Sequence, residues 1–331
     1  MARSKFSFPG SSAVRLTYPP ARHACTLLLL TLLPLVVTGC SVKKFAINKL
    51  GDSLANSGTT FASDDDPDLV GQALPFSLKL MDGLLAESPT HRGLLFAASS
   101  GFTEYAYAYV QQDADTIENQ DFAKATALRI RARHLYLRAR DYGLRGLEVK
   151  HPGFEQSLRR DSRAAVHSAT ARDVPLLYWT AVSWGAAISL SKDSPDLVAD
   201  QPIVEALIDR AFELNPNFDS GAIHGFLITY ESARQGAGGD FASRSRSHFE
   251  AEVELTGGQL AAPYVALAET VSVSKQNRAE FESLLHRALA VDPDRRLEWR
   301  LNNLITQRRA RWLLARENEF FADDRTGGEG R

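Results

Sequence analysis

This chain of 331 residues carries 38 basic and 40 acidic side chains, a near balance that gives no indication of a nucleic-acid partner. Its two cysteines, Cys25 and Cys40, are too few for a disulfide framework or a cysteine metal cluster. The length suffices for one large core or for an array of small units. The abundance of Ala, Leu, Arg and Glu favours helix.

The N-terminus has the pattern of a lipoprotein signal peptide. Basic residues without any acidic one precede an uncharged apolar run at 24–36, which is too short to span a bilayer. Val37, Thr38, Gly39 and Cys40 follow as a lipobox, so Cys40 is predicted to be the lipidated first residue of the mature protein. An ordinary secretory peptide, or an anchor helix with a chance cysteine, is the alternative.

The same segment predicts where the protein resides. Ser41, and not the aspartate typical of inner-membrane retention, follows the lipidated cysteine, so we expect a periplasmic protein anchored in the outer membrane. The expected organisation is a signal peptide at 1–39, a lipid anchor and leading helix at 40–60, a helical domain at 61–321 and a disordered tail at 322–331.

Amphipathic helix patterns follow one another along the mature chain. A helix is expected from Leu69 to Ser88, with Pro75 splitting or kinking it. In the next helix every second residue of the run Tyr105–Tyr109 is tyrosine, an alternation that also fits a strand. The helical spacing that precedes this run outweighs the alternation.

Two later segments differ from the rest in composition. Asp115 to Lys150 keeps an uninterrupted helical pattern with small residues at alternate core positions, so another helix should approach it closely. Val174 to Leu190 is apolar on nearly every side and is predicted to be central and buried. Pro195 and Pro202 each start a further segment.

An acidic cluster, Asp64-Asp65-Asp66, precedes Pro67. Carboxylates in series are calcium ligands, but no loop of calcium-binding length with a closing glutamate follows. A helix cap with Pro67 at the first helical position is the favoured interpretation, because acidic side chains stabilise the positive end of a helix dipole.

Internal repetition indicates the fold class. Several helices end at a proline, and the segments ending at Pro216 and Pro293 resemble the end of the second helix of a tetratricopeptide repeat. The prolines at 89, 152, 216 and 293 are 63, 64 and 77 residues apart, so the repeats are degenerate and carry long insertions. We therefore predict an all-α protein built as an α-solenoid of tetratricopeptide-like helix pairs.

Known motifs of catalysis and cofactor binding do not occur in the sequence. It has no zinc-protease, nucleophile-elbow, phosphate-loop or dinucleotide pattern, and its eight histidines never form an i, i+4 pair. We therefore expect no enzymatic activity, no cofactor and no metal site. His224, on an apolar helix, is interpreted as a core histidine.

Aromatic side chains with polar tips are suited to line a ligand surface between the helices. Core packing is the alternative role for most of them. The candidates are Tyr105, Tyr109, Tyr178, Trp179, Trp184 and Tyr230.

Four segments in the same order resemble the TRAP-transporter TatT lipoprotein family, and the resemblance runs from Cys40 to about Phe321. The segments lie at 39–44, 60–67, 136–147 and 307–314. The resemblance implies a periplasmic lipoprotein with tetratricopeptide-like helices that assembles as a homotrimer around a central pore. It also implies a partner, the solute-binding protein of a tripartite ATP-independent transporter, and a hydrophobic or organic-acid ligand.

The basic last helix is a candidate contact for an acidic partner surface, through Arg308, Arg309 and Arg311. A capping helix with a solvated basic face is the alternative. For the whole protein, the alternative function is a helical-repeat scaffold for outer-membrane or cell-wall assembly without a small ligand. An all-helical envelope enzyme is a third class, which would need dispersed catalytic residues.

The lipobox makes a direct prediction. Cys40→Ser should leave the protein unanchored in the periplasm or with an uncleaved signal, because the acylated thiol is absent. Fractionation of the cell envelope measures this outcome. Cys25→Ser is the matched control, since Cys25 is removed with the signal, and a Cys40→Ser protein still acylated in the outer membrane would contradict the assignment.

Overall fold

The computed structural model describes residues 48–53, 58–234, 236 and 238–321. Within these residues the regular structure is helical and no strand occurs, so the predicted all-α class is confirmed. The signal peptide, Cys40 and the expected tail at 322–331 lie outside the described residues. In the part of the chain that is described, no helix combines the length and the apolarity needed to cross a membrane.

Over the described residues 58–189, the first half of the domain contains eight α-helices. They are α1 Gly58–Ala62, α2 Pro67–Glu87, α3 Arg92–Tyr105, α4 Gln112–Ile117, α5 Phe122–Glu148, α6 Phe154–Arg160, α7 Ser162–Val166 and α8 Val174–Ser189. A π-helical segment, Ala106–Gln111, joins α3 to α4 without a break.

Eight more α-helices follow in the second half. They are α9 Pro195–Val198, α10 Gln201–Leu214, α11 Ala222–Tyr230, α12 Phe241–Thr256, α13 Ala262–Leu267, α14 Arg278–Ala290, α15 Arg300–Ala315 and α16 Glu317–Phe320. A second π-helical segment, Ala268–Ser272, extends α13.

The start of α2 confirms the helix-cap interpretation of the acidic cluster. The side chain of Asp66 accepts hydrogen bonds from the backbone N–H groups of Asp68 and Leu69, at 3.1 and 2.9 Å. Pro67 occupies the first helical position. Its missing backbone N–H loses no hydrogen bond there, because the first N–H groups of a helix have no partner within the helix. Pro75 lies inside α2, which nevertheless continues as one helix to Glu87, so the expected split does not occur.

The prediction of an uninterrupted helix from Asp115 to Lys150 is wrong at the N-terminal end of this range. α4 ends at Ile117, and α5 begins only at Phe122. The cause is Asp121, whose carboxylate accepts a hydrogen bond from the backbone N–H of Lys124 at 2.9 Å and caps a new helix. The run Tyr105–Tyr109, by contrast, is helical as predicted, although its second part has π-helical geometry.

Close packing of α3, α5 and α8 fixes the middle of the fold. At Gly143 on α5, an added Cβ would lie 2.1 Å from Oγ1 of Thr180 on α8 and 3.0 Å from Oγ of Ser99 on α3. Only glycine therefore lets the three helices approach so closely. Most of α8 is buried, including Trp184 with no accessible surface, which confirms its predicted central position.

Three hydrophobic cores follow one another along the chain. The first is formed mainly by α2, α3 and α5, the second by α5 to α11, and the third by α11 to α15. Consecutive cores share a helix, which is how helix pairs stack in a repeat protein. The structure is thus an all-α helical-repeat fold.

The row of helices closes on itself, because α15 returns to the first helices. Arg309 on α15 forms salt bridges with Asp115 on α4 at 3.0 Å and with Glu269 on the second π-helical segment at 2.6 Å. Arg308 pairs with Asp68 on α2 at 2.9 Å. We call this set of contacts the ring closure. It joins residues more than 190 positions apart.

Removal of Arg309 should weaken the ring closure. Its side chain is only 13% exposed, and Arg309→Ala leaves Glu269 without the arginine it pairs with and Asp115 with Arg129 alone. The free energy of unfolding should therefore fall by about 3 kcal/mol. Arg311→Ala on the same helix is the control, because Arg311 is exposed, and it should change stability by less than about 0.5 kcal/mol. Urea unfolding measures both. Equal losses in the two variants would show that the ring closure does not stabilise the fold.

Candidate functional site

Two side chains at the end of α3 and in the first π-helical segment are reached by water and yet have raised pKa values. Glu104, near the end of α3, is exposed, but desolvation and the charge of Asp219 raise its pKa to about 7. Tyr107, on the first π-helical segment, is 48% exposed, and desolvation raises its pKa to about 12. Neighbouring protein groups therefore displace part of the water around both side chains.

We use the name inner cleft for the region around four residues whose charges influence one another. These residues are Glu104, Tyr178, Asp219 and Glu252.

Tyr178 brings α8 to the inner cleft. Its ring lies 5.5 Å from that of Phe218, the residue before Asp219. Burial raises the pKa of the Tyr178 hydroxyl, and the negative charges of Glu252, Asp219 and Glu104 raise it further. Three carboxyl groups from three separate parts of the chain therefore raise the pKa of one hydroxyl.

An unusual turn positions Asp219. Asp219 and Ser220 have φ values of 46° and 56°, and Gly221 follows at 100°. Two consecutive non-glycine residues in the left-handed region cost free energy, and such strain concentrates at functional sites. Desolvation raises the pKa of Asp219, so the strained turn holds this carboxyl among protein groups.

Glu252 on α12 lies against two glycines of the neighbouring segment. An added Cβ at Gly225 would lie 2.7 Å from its Oε1, and one at Gly221 would lie 3.4 Å from its Cγ. The side chain is only 3% exposed, its Oε2 has no hydrogen-bond partner, and burial raises its pKa to about 8. Glu252 is therefore a buried carboxyl without a cation beside it.

Two histidines occupy the layer next to Glu252. Nδ1 of His224 lies 2.9 Å from Nδ1 of His248, one helical turn before Glu252. Burial lowers the pKa of both, to about 4 for His248, so one neutral ring donates to the other. His224 is buried in an apolar layer beside Phe212, as expected of a core histidine.

Tyr107 lies near charged groups of the second π-helical segment and of the ring closure. Tyr107 on the first segment is influenced by Glu269 on the second and by Arg309 of the ring closure. Single π-helical insertions are frequent at functional sites, because they shift side chains out of helical register. Here the two segments bring Tyr107 and Glu269 near the same arginine, Arg309.

The six aromatic candidates lie in different environments in the structure. Tyr178 lines the inner cleft, and half-buried Trp179 packs against it with ring centroids 5.1 Å apart. Tyr105 lies in the first core, where its hydroxyl accepts a hydrogen bond from Arg131. Trp184 has no accessible surface and packs under the guanidinium of Arg140.

Two candidates hold a buried hydroxyl without a hydrogen-bond partner, Tyr109 and Tyr230. Tyr230 stacks on Phe226 at 5.0 Å and is nearly buried. Tyr109 borders a cavity of about 40 Å³ beside the ring closure, together with Arg308 and Trp312. That volume holds about one water molecule and no organic ligand.

The three arginines of the last helix have different environments. Arg309 is held inside the ring closure and stacks 4.3 Å above Trp312. Arg308 is exposed and pairs with Asp68. Arg311 is exposed and has no ion-pair partner among the described residues. Only Arg308 and Arg311 therefore face solvent.

Sequence reasoning did not find the three carboxyls of the inner cleft. Glu104, Asp219 and Glu252 are isolated in the sequence. The periodicity of apolar residues along a helix does not identify an acidic residue that becomes desolvated in the fold. The glycines at 221 and 225 before an apolar helix were the one available signal of a close approach. In the described part of the chain, no group of three or more His, Cys, Asp or Glu residues could hold a metal ion.

Comparison with known proteins places this architecture. The sequence profile described as TRAP transporter T-component matches residues 63–321. A protein of Treponema pallidum (strain Nichols), described as an uncharacterized protein, is 30% identical over 307 residues, which cover 87% of this chain and 95% of that protein.

The buried carboxyl of Glu252 makes stability depend on pH. Its folded-state pKa of about 8 exceeds the ordinary value of 4.5, so the folded state becomes less stable as pH rises between these values. Glu252→Gln removes this loss, so its stabilising effect relative to the parent should be larger at pH 8 than at pH 5. The difference should be at least about 1 kcal/mol in the free energy of unfolding, and it is measured as a larger rise of Tm at pH 8. Glu254→Gln, at an exposed position, is the control. An equal change in Tm at both pH values would contradict the assignment.

Proposed function

Because this chain belongs to the TRAP transporter T-component family, we propose that it acts in the periplasm by binding the solute-binding protein of its transporter and a small ligand. Membership of this family indicates that the protein has an accessory role in a TRAP transporter. The match over residues 63–321 carries the proposal, since it spans nearly the whole helical domain. The family is one of transporter components and not a known enzyme family.

The inner cleft supports the ligand part of the proposal. Glu104 in this region is accessible to water, and the ring of Tyr178 lies 5.5 Å from that of Phe218. Aromatic rings beside a few polar groups are common features of ligand sites. Of the two ligand classes that the family resemblance implies, a hydrophobic molecule would meet these rings. A free organic acid would meet the negative charges of Glu104, Asp219 and Glu252.

Anchoring and assembly belong to the same proposal. We place the protein at the outer membrane through lipid on Cys40, which brings its helical domain beside the membrane surface. We also propose a homotrimer around a central pore. Sedimentation velocity of the lipoprotein in detergent tests this, because a trimer and a monomer differ threefold in protein mass.

The exposed end of the basic helix is the proposed contact for the solute-binding protein. Arg308 and Arg311 present positive charge there, and the pair between Arg308 and Asp68 is too exposed to neutralise it strongly. Arg309, the third candidate, is held by two carboxylates and contributes to closure of the ring. A charge-assisted contact of this kind would let the partner dissociate again and meet its membrane permease.

Co-sedimentation of the purified lipoprotein with the solute-binding protein encoded beside it tests partner binding. We expect association at tens of micromolar protein, weakened by added salt and by the double variant Arg308→Glu, Arg311→Glu. Arg160→Glu, Arg163→Glu is the matched control, because these exposed arginines border a different, outer groove. Independent sedimentation of two folded proteins would contradict the proposed partner.

A further inference from the structure

We propose that one end of the helical domain rests on the bilayer, against the headgroups of anionic phospholipids. We call it the anchor end. It comprises residues 48–53, the turn 88–91 between α2 and α3, residues 149–153 after α5 and residues 170–173 before α8. The inference rests on the proposed lipid at Cys40 and adds to it the face that the domain turns towards the membrane.

The first observation is the position of the described segment nearest to the lipid. Asn48 is held at the turn between α2 and α3, where its side-chain oxygen accepts a hydrogen bond from the hydroxyl of Ser88 at 2.8 Å. Its backbone carbonyl lies 3.2 Å from Nε2 of His91. Gly51 packs on α3, because an added Cβ would lie 2.8 Å from a leucine side chain of that helix. The segment that follows the anchor is therefore fixed to this end of the domain.

The length of the intervening chain limits the distance to the membrane. Residues 41–47 separate Cys40 from Asn48, and a fully extended chain of that length spans at most about 28 Å. The anchor end therefore stays within reach of the bilayer in every orientation of the domain. The tether does not by itself decide which surface touches the lipid, so charge and apolar contact select the orientation.

Backbone contacts of two arginines bring the other loops to the same end. The guanidinium of Arg92, at the start of α3, donates to the carbonyls of Gly146 and Arg172, both at 3.4 Å. Arg145, in the last turn of α5, donates to the carbonyl of Pro89 at 3.2 Å. The C-terminus of α5, the segment before α8 and the turn between α2 and α3 therefore lie together.

Positive charge is concentrated at the anchor end. Arg145, Lys150 and Arg172 are exposed, and none of them forms a salt bridge with a described residue. Lys43 and Lys44 lie in the tether, which contains no acidic residue. The chain as a whole has a formal net charge of −2, so this excess of basic residues is local. Clustered basic side chains beside a lipid anchor are attracted to anionic headgroups.

The acidic residues near these cations only partly offset them. Asp173 is buried and pairs with Arg92, and Asp52 pairs with a lysine of its own segment at 3.9 Å. Glu148 is half-buried, and its carboxylate accepts a backbone hydrogen bond at 2.8 Å. Glu87, at the end of α2, is exposed and offsets one of the three unpaired cations. The surface therefore keeps a positive excess.

Apolar side chains stand among these charges. Leu50 is 47% exposed and Val149 is 39% exposed. Apolar side chains flanked by lysine and arginine favour a membrane interface, because the apolar groups enter the boundary of the acyl chains while the cations reach the phosphates. An acidic protein would also be attracted to these cations. The bilayer is the occupant that the structure favours, because the tether keeps it within reach at all times.

The same orientation turns the proposed partner contact away from the membrane. Arg308 pairs with Asp68 in the first turn of α2, whereas the anchor end begins at Ser88, after the last turn of that helix. The two sites are about 30 Å apart along the helix. A solute-binding protein held by the last helix would therefore not compete with the bilayer for the anchor end.

Quenching by labelled lipids in reconstituted vesicles tests the orientation. The acylated mature protein has no free thiol, since Cys25 leaves with the signal and Cys40 carries the lipid, so a single introduced cysteine can be labelled. Val149→Cys and Phe122→Cys place a fluorophore at opposite ends of α5, about 40 Å apart. In vesicles that contain phosphatidylglycerol, a nitroxide on the lipid headgroup should quench the label at position 149 at least about threefold more than the label at position 122.

Charge reversal locates the contact. The double variant Lys150→Glu, Arg172→Glu should reduce the quenching at position 149 at least about twofold, because acidic side chains are repelled by anionic headgroups. Vesicles of phosphatidylcholine alone and added salt should reduce it as well. The control Lys124→Glu, Arg295→Glu makes the same change of charge at exposed positions outside the anchor end, and should leave the quenching within about 20% of the parent. Circular dichroism confirms that each variant is folded.

Flotation of the vesicles reports the lipid anchor separately from the orientation. Protein that floats, but is quenched equally at positions 149 and 122 or more strongly at position 122, overturns the inference and leaves the lipid on Cys40 in place. Protein that does not float contradicts the lipid itself and, with it, the inference.

Two further results would overturn the contact with anionic headgroups. One is equal quenching at position 149 in neutral and anionic vesicles, and the other is quenching that Lys150→Glu, Arg172→Glu leaves unchanged. Added solute-binding protein should not lower the quenching at position 149. A decrease would assign the anchor end to the protein partner and not to the bilayer.

Discussion

The salt bridge of Arg309 with Asp115 is the constraint on which the architecture depends, because it joins the last long helix to the first part of the chain. Glu269, on the second π-helical segment, holds the same guanidinium. An α-solenoid has free ends, and stacking alone leaves its inner surface open to bulk water. Here the row closes through charged pairs between α15 and the first helices. Desolvation and the charge of Asp219 raise the pKa of Glu104, although its side chain is accessible.

Charges in this protein are distributed in two contrasting ways. At the ring closure the acids and arginines are paired, which compensates the removal of both from water. In the inner cleft Asp219 and Glu252 lie without a cation, next to aromatic rings. An unpaired buried acid such as Glu252 destabilises a fold, and departures of this kind concentrate at functional sites.

Local patterns predicted much of the fold. The apolar character of α8, the proline at the start of α10 and the cap at Asp66 each act within a few residues, so the sequence alone reveals them. The ring closure and the inner cleft depend on residues far apart in the chain, such as Arg309 and Asp115, and no periodicity encodes such pairs. Tyr178 was found as an aromatic with a polar tip, but the acids around its hydroxyl come from other helices.

The raised pKa values of Glu104 and Glu252 are the central claim, and a carbon NMR titration of the side-chain carboxyls of labelled glutamate tests them most directly. The structure predicts two glutamates that titrate near pH 7 and pH 8, whose signals disappear in Glu104→Gln and in Glu252→Gln respectively. Titration of every glutamate near the ordinary value of 4.5 would contradict the account, because it would place both carboxyls in bulk solvent.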